Sequence, residues 1–356
     1  MTALPSLPLT VADGRSHFTG GRGYLAACTV GLVSRGTRDA VVADLEASAA
    51  GHPDPVFYTA SVERSREHFA HLVGVEPARV AIASQVSVIA ALVAAALPDG
   101  AEVVVPEGDF SSILLPFVHA GRGIRVRPVP LADLAEAIDA STAMVAFSLV
   151  QSATGEVADA ASIVAAARHH GARTFCDATQ AVGWLPVEAS VFDALVCHAY
   201  KWLCAPRGVA FFAVSEEFAR DIPARFAGWY AGADPWTSCY GTEVRLADDA
   251  SRFDVSPAWQ AFVGAEPALE LFASLDREGL YAHTTGLAAA FREAMGLPAP
   301  DRPSAIVTWS DPAGQDLARL AAAGTTASGR AGRARVAFHV FNGADDVESA
   351  VRALRG

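Results

Sequence analysis

Short runs rich in Val, Ile and Phe alternate with Ala-rich segments of helical length through the middle of the chain, and few folds accept that rhythm. A strand, a helix and a second strand in succession build a parallel sheet, because the helix carries the chain back across one face. Strands are expected over residues 79–83, 102–105, 124–129, 143–148, 173–176, 194–197 and 209–214. Helices are expected over 86–97 and 160–170, with Pro98-Asp99-Gly100 and Gly171 as stops. This predicts a large doubly wound α/β domain with a mostly parallel sheet.

After Pro257 the rhythm changes. Helices are expected over 259–277 and 280–295, then a Pro-rich link at 298–303, a strand at 305–309 and a helix near 316–323. A flexible loop at 324–332, a strand at 334–340 and a last helix from Asp345 complete a small α+β C-terminal domain. The expected divisions are an N-terminal segment 1–30 packing near the site, a large domain 31–280 and a small domain 281–356.

Composition narrows the function. The 356 residues are 52% hydrophobic and 19% charged, enough for a buried core and against general disorder. A balance of 27 basic against 39 acidic residues, net −12, opposes nucleic acid and anionic membrane as partners. Cys28, Cys176, Cys197, Cys204 and Cys239 are scattered without CxxC spacing, which signals neither a disulfide framework nor a metal site. With no export signal and no apolar run long enough to span a bilayer, a reduced, cytoplasmic chain is expected. The basic residues are almost all arginine: Lys201 is the single lysine. Codon bias explains why lysine is rare, but not where the survivor sits.

In open α/β sheets ligands bind beyond the carboxyl ends of the strands, and four such ends carry polar chemistry here. Ser84, Gln85 and Val86 open a helix, where free N–H groups hold a phosphate, although Ser or Gln there also serves as a plain cap. Phe110, in a polar loop after the strand 102–105, is placed to stack on a planar ring or to pack into a core. Asp177 ends a strand where a carboxylate can pair with a protonated ring nitrogen, with Gln180 three residues on; an Asp there can equally cap a helix. Lys201 follows the strand 194–197 between Tyr200 and Trp202, a place where a buried amine forms a Schiff base. A phosphate nest, a stacking ring, an acid for a ring nitrogen and an imine-forming lysine together describe a site for pyridoxal 5′-phosphate (PLP).

The stretch 147–157, reading FSLVQSATGEV, then Asp177 and Gln180, then Tyr200-Lys201-Trp202-Leu203 and Pro206-Arg207-Gly208, resembles the class V aminotransferase family. That family holds cysteine desulfurases, kynureninases and isopenicillin N epimerase, all PLP-dependent enzymes of fold type I. The resemblance implies that Lys201 carries the cofactor, Asp177 holds the pyridine nitrogen protonated and Gln180 contacts the ring hydroxyl. Phe110 matches the ring-stacking position, and Ser84, Gln85 and Val86 match the phosphate loop, closed by His198 and Tyr200. His198 could also be a packed neutral histidine. Arg335 matches the residue that clamps the substrate α-carboxylate, with Arg333 as its competitor, and Gln151 is placed to face the substrate. Residues 252–257 resemble a loop that reaches the partner's phosphate, with Ser256 where Thr is common, which implies a homodimer with shared sites.

The sequence departs from the desulfurases in the loop 321–333, which has no cysteine to take up sulfur. The aromatic, glycine-rich segment 228–240 resembles a kynureninase loop and is expected either to line the substrate entrance or to pack a dimer interface. Transamination of an amino acid is the leading expectation. A PLP-dependent lyase or hydrolase acting at Cβ, or an epimerase, is the alternative. A non-catalytic binding protein of this fold, or a nicotinamide-binding enzyme, is disfavoured by the presence of Lys201 and Asp177 and by the lack of a GxGxxG after any predicted strand.

Overall fold

The computed structural model describes residues 7–356. Seven strands form the large sheet: β1 (Val80–Ala83), β2 (Glu102–Pro106), β3 (Arg125–Val129), β4 (Thr142–Ser148), β5 (Arg173–Asp177), β6 (Ala194–His198) and β7 (Ala210–Val214). Their order is β1-β7-β6-β5-β4-β2-β3, with β3, β2, β4, β5 and β6 parallel and β7 antiparallel to both of its neighbours. Every residue of β1, β6 and β7 is buried, so these strands read as apolar runs rather than alternations, broken only by His198 at the end of β6. Apolar cores lie on both sides, one built on Phe69, Phe147 and Phe211, the other on Phe117, Phe175 and Phe212.

Local signals set the crossings. Helix Ala160–His170 starts where Asp159 accepts the Ser162 N–H and stops at Gly171, whose φ of 72° suits glycine. A buried ion pair, Arg66 with Asp254, joins helix Pro55–Leu72 to the segment before Ser256: Arg66 Nη2 lies 2.6 Å from Asp254 Oδ2, and Asp254 Oδ1 accepts the Ile82 N–H of β1.

A second, antiparallel sheet has the order β8-β10-β9, from β8 (Ile306–Ser310), β9 (Ser328–Arg330) and β10 (Arg333–Ala337). The loop expected at 324–332 therefore contains a strand. Three residues, one of them glycine, carry too little alternation to show as one. β10 also ends three residues before the expected 340. Helices Arg277–Met295 and Ala344–Arg355 cover the face bearing Val307, Trp309, Ala334 and Val336.

The N-terminal stretch 24–31 runs between the two sheets. Leu25 N–H donates to Thr326 O, Ala337 N–H to Leu25 O, and Gly31 N–H to Tyr200 O. Gly31 lies so close that a Cβ built on it would stand 2.0 Å from Lys201 O, closer than any side chain tolerates.

Candidate active site

Three parallel strands deliver their carboxyl ends to one place. β4 ends at Ser148, β5 at Asp177 and β6 at His198, with Ser148 opposite Asp177 in the ladder. The chain turns directly after β6, which brings Tyr200 and Lys201 beside those ends. Thr179 ties the two turns together: its N–H donates to Asp177 Oδ1 at 2.9 Å, and its Oγ1 accepts the His198 N–H at 3.0 Å.

Burial dominates the electrostatics. Loss of hydration raises Asp177 to about 6, opposed by the Thr179 hydrogen bonds and the charge of Lys201. The same effect pushes the Lys201 amine down to about 8, with Asp177 opposing, and makes it a nucleophile near neutrality. His198 is pushed down to about 4, first by burial and then by Arg207 and Lys201, so its ring is neutral at pH 7. Its Nε2 is buried and without a partner among the described residues.

Lys201 Nζ lies 5.3 Å from the centre of the Phe110 ring and 5.7 Å from that of Tyr200, which Arg207 covers from 4.5 Å. These side chains, with Gln85, Val86, Ser152 and Gln180, enclose a cavity of about 210 Å³. Helix Val86–Ala94 begins at the cavity with no side-chain hydrogen bond from its cap, Gln85, so its first N–H groups lack a side-chain acceptor. Both amide hydrogens of Gln180 are engaged. Its Nε2 donates to Cys28 O at 2.9 Å and to Ser152 Oγ at 3.2 Å, and its Oε1 accepts from Trp202 Nε1 at 2.8 Å.

The structure brings Gln85, Val86, Phe110, Asp177, Gln180, His198, Tyr200 and Lys201 together around one cavity. Four other expected residues lie elsewhere. Ser84 is exposed and outside the lining. Ser256 is exposed and accepts from Trp229 Nε1, and the segment 228–240 contributes nothing to the lining. Gln151 turns away from the cavity to donate to Asp109 Oδ2. Arg335 stands behind Ser152, which lines the cavity in front of it.

Arg335 is almost wholly buried, and its partners are Ser328 Oγ, Ser152 O and Oγ, and Thr29 Oγ1. All are neutral oxygens, an unusual setting for a buried guanidinium. Arg333 points instead to Thr308. Ser152 Oγ accepts from both Gln180 and Arg335, which uses both lone pairs, so its proton alone is left to donate into the cavity.

Sequence reasoning missed Ser152, Thr179, Arg207 and Asp109. The last is buried and collects the Phe110 N–H (2.6 Å), the Ser148 N–H (2.7 Å), the Ser148 hydroxyl (2.5 Å) and the Gln151 amide. It joins the loop carrying Phe110 to the loop carrying Ser152. Its place directly before Phe110 was the available signal.

Residues 50–297 match the family described as Aminotransferase class-V. The chain belongs to the class-V aminotransferase family. Its relatives include a protein named uncharacterized aminotransferase YcbU from Bacillus subtilis, 28% identical over 59% of this chain and 58% of that one. A kynureninase from Salinispora tropica is 28% identical over 81% of this chain and 75% of its own length. Among solved structures, a C-DES mutant with glycine covalently linked to its PLP cofactor superposes with a TM-score of 0.83 over 96% of this chain and 98% of that one, at 19% identity.

Class-V enzymes are PLP-dependent, and the residues present fit that cofactor. The partnerless His198 Nε2 and the uncapped start of helix Val86–Ala94 suit a phosphate. Phe110 leaves 41% of its surface open, a large value for an aromatic that lines a cavity. Asp177 and Lys201 would supply the acid for the ring nitrogen and the amine for the aldehyde.

Proposed function

We propose that this class-V enzyme acts at the amino group and Cα of an α-amino acid, and that its reaction is transamination. One observation supports this above the others. A buried lysine with a weakened hold on its proton and a buried carboxylate at the neighbouring strand end line one cavity, and a buried guanidinium bonded only to neutral oxygens stands directly behind Ser152 in its wall. Bound PLP supplies an electron sink for the pair left at Cα when its proton departs. In this reading Arg335 grips the α-carboxylate, which orients the Cα–H bond. Lys201, released as a neutral amine, takes the Cα proton and carries it onward. Asp177, held as a carboxylate by Thr179, keeps a proton on the ring nitrogen. Phe110 covers the ring, and His198, Tyr200 and the start of helix Val86–Ala94 hold the phosphate.

Cleavage at Cβ is the second reading, favoured by the long alignment with a kynureninase. A persulfide relay is disfavoured: the loop 321–333 has no cysteine, and four of the five thiols are buried. Those free thiols fit a reducing cytoplasm. The exposed Val42, Leu45, Val56 and Phe57 of two neighbouring helices fit a homodimer, with Ser256 reaching toward the partner's phosphate.

The test is turnover of the PLP-loaded protein on a panel of amino acids, with and without an added α-keto acid. Transamination gives one equivalent of product and then requires the keto acid. Continuous product without it replaces transamination with Cβ cleavage. Lys201→Ala is expected to fold and to lose turnover, and equal turnover in this variant would refute the whole assignment.

A further inference from the structure

The face of the small sheet that meets Ser152 in the cavity wall carries three arginines, although the chain as a whole carries −12. Arg333 lies directly opposite Arg330 across β10 and β9, and Arg335, two residues on, lies opposite Ser328. Alternation along a strand puts all three arginines on one side of the sheet. Like charges directly opposite each other weaken a strand pair, so the arrangement costs stability as it stands.

No acid offsets it. Arg335 is bonded to Ser328, Ser152 and Thr29, Arg333 to Thr308, and Arg330 Nη1 to Gly329 O of its own strand at 2.7 Å. Among the described residues no carboxylate is paired with any of them. The three run from the buried Arg335 out to the exposed Arg330. Arg330 is within electrostatic reach of the chemistry: after burial, the charges of Arg335 and Arg330 both act to lower the Lys201 amine.

Under the proposed function Arg335 takes one carboxylate, and two cations beside it are left over. Arg333 gives Nε and Nη2 to Thr308 and is half-buried, whereas Arg330 is exposed, engages only Nη1 and keeps most of its five donors free. We propose that the β9–β10 arginine face binds a second anionic group, carried on the side chain of the amino-acid substrate, with Arg330 as the specificity-determining residue. This rests on reading the site as an α-amino-acid site. A carboxylate, sulfinate or phosphate offers the same chemistry to a guanidinium.

The experiment is titration of the PLP-loaded protein with L-glutamate and L-aspartate against L-glutamine and L-asparagine, following the cofactor absorbance, with L-alanine as the reference. At least one acid is expected to bind roughly ten-fold or more tightly than its amide. Arg330→Gln removes that preference and leaves the alanine affinity unchanged, while Arg330→Lys keeps part of it. Acids and amides that bind the parent equally well refute the second anion and leave the amino-acid site standing. So does an Arg330→Gln variant that weakens alanine as much as the acids. A protein whose cofactor responds to none of the five refutes the amino-acid site and this inference together.

Discussion

The Lys201 amine is pushed down to about 8 from an ordinary 10.5, and the cause is burial. At pH 7 the neutral, nucleophilic form is then about 9% of the total, against about 0.03% for an ordinary lysine, a gain of roughly 300-fold. The rate at which cofactor-free protein forms a borohydride-trapped adduct with PLP at Lys201 should rise about ten-fold per pH unit and level off near pH 8. Asp177 opposes the shift, so Asp177→Asn should move the plateau to lower pH. The depression also costs the cofactor-free fold about 3 kcal/mol. Between about pH 8 and 10.5 the unfolded chain binds the lysine proton and the folded chain does not, so that penalty is complete below 8 and fades as pH rises. Lys201→Met should therefore be the more stable protein in urea at pH 7, with the gap closing toward pH 10.5. An adduct rate that climbs past pH 10 without a plateau, or a methionine variant with no added stability, would refute the account of a desolvated amine.

Arg335→Gln should weaken binding of an α-amino acid roughly ten- to hundred-fold while sparing the corresponding amine that lacks the carboxylate, read by cofactor absorbance. If Arg333→Gln does this instead, the assignment of the two arginines is reversed. Asp109→Ala leaves the Phe110 and Ser148 N–H groups and the Gln151 amide without their acceptor, and should cost about 3 kcal/mol or more along with PLP affinity. An unchanged PLP dissociation constant would show that the loop of Phe110 is held by other means. Asp254→Ala leaves Arg66 buried without its anion and should cost about 3–5 kcal/mol in urea denaturation. Replacing both partners by apolar residues should recover much of that loss, and failure to do so would mean the pair is more than a local charge balance.

Most strands of the large sheet were legible because each is a short run with an apolar centre closed by a polar or glycine-containing turn, and those at 173–177 and 194–198 differ from expectation by a single residue. The residues at their carboxyl ends were legible for the same reason, since topology alone places Asp177 and Lys201 side by side. What could not be read was set by partners far away in sequence. Gln151 and Ser152 are adjacent, and nothing local says which enters the cavity; Asp109, about forty residues earlier, decides it by taking the Gln151 amide. Arg335 and Arg333 share one face of a strand, and only the packing of Ser152 and Thr29 against the former separates them. β9 escaped because its pairing with β10, not its composition, makes it a strand.

The stretch 24–31 imposes an order on biosynthesis. It is among the first parts of this sequence to leave the ribosome, yet two of its backbone partners, Thr326 and Ala337, come some three hundred residues later. The large sheet can form while the rest is still being made and can offer Tyr200 and Gln180 to this stretch, but its bonds to Thr326 and Ala337 wait for the small sheet. A nascent or truncated chain that lacks the last strand would keep its α/β core and the residues around Lys201, but would lack Arg335 and its bonds to Ser152 and Thr29. The arginine wall behind Ser152 is thus withheld until the two ends of this sequence have met.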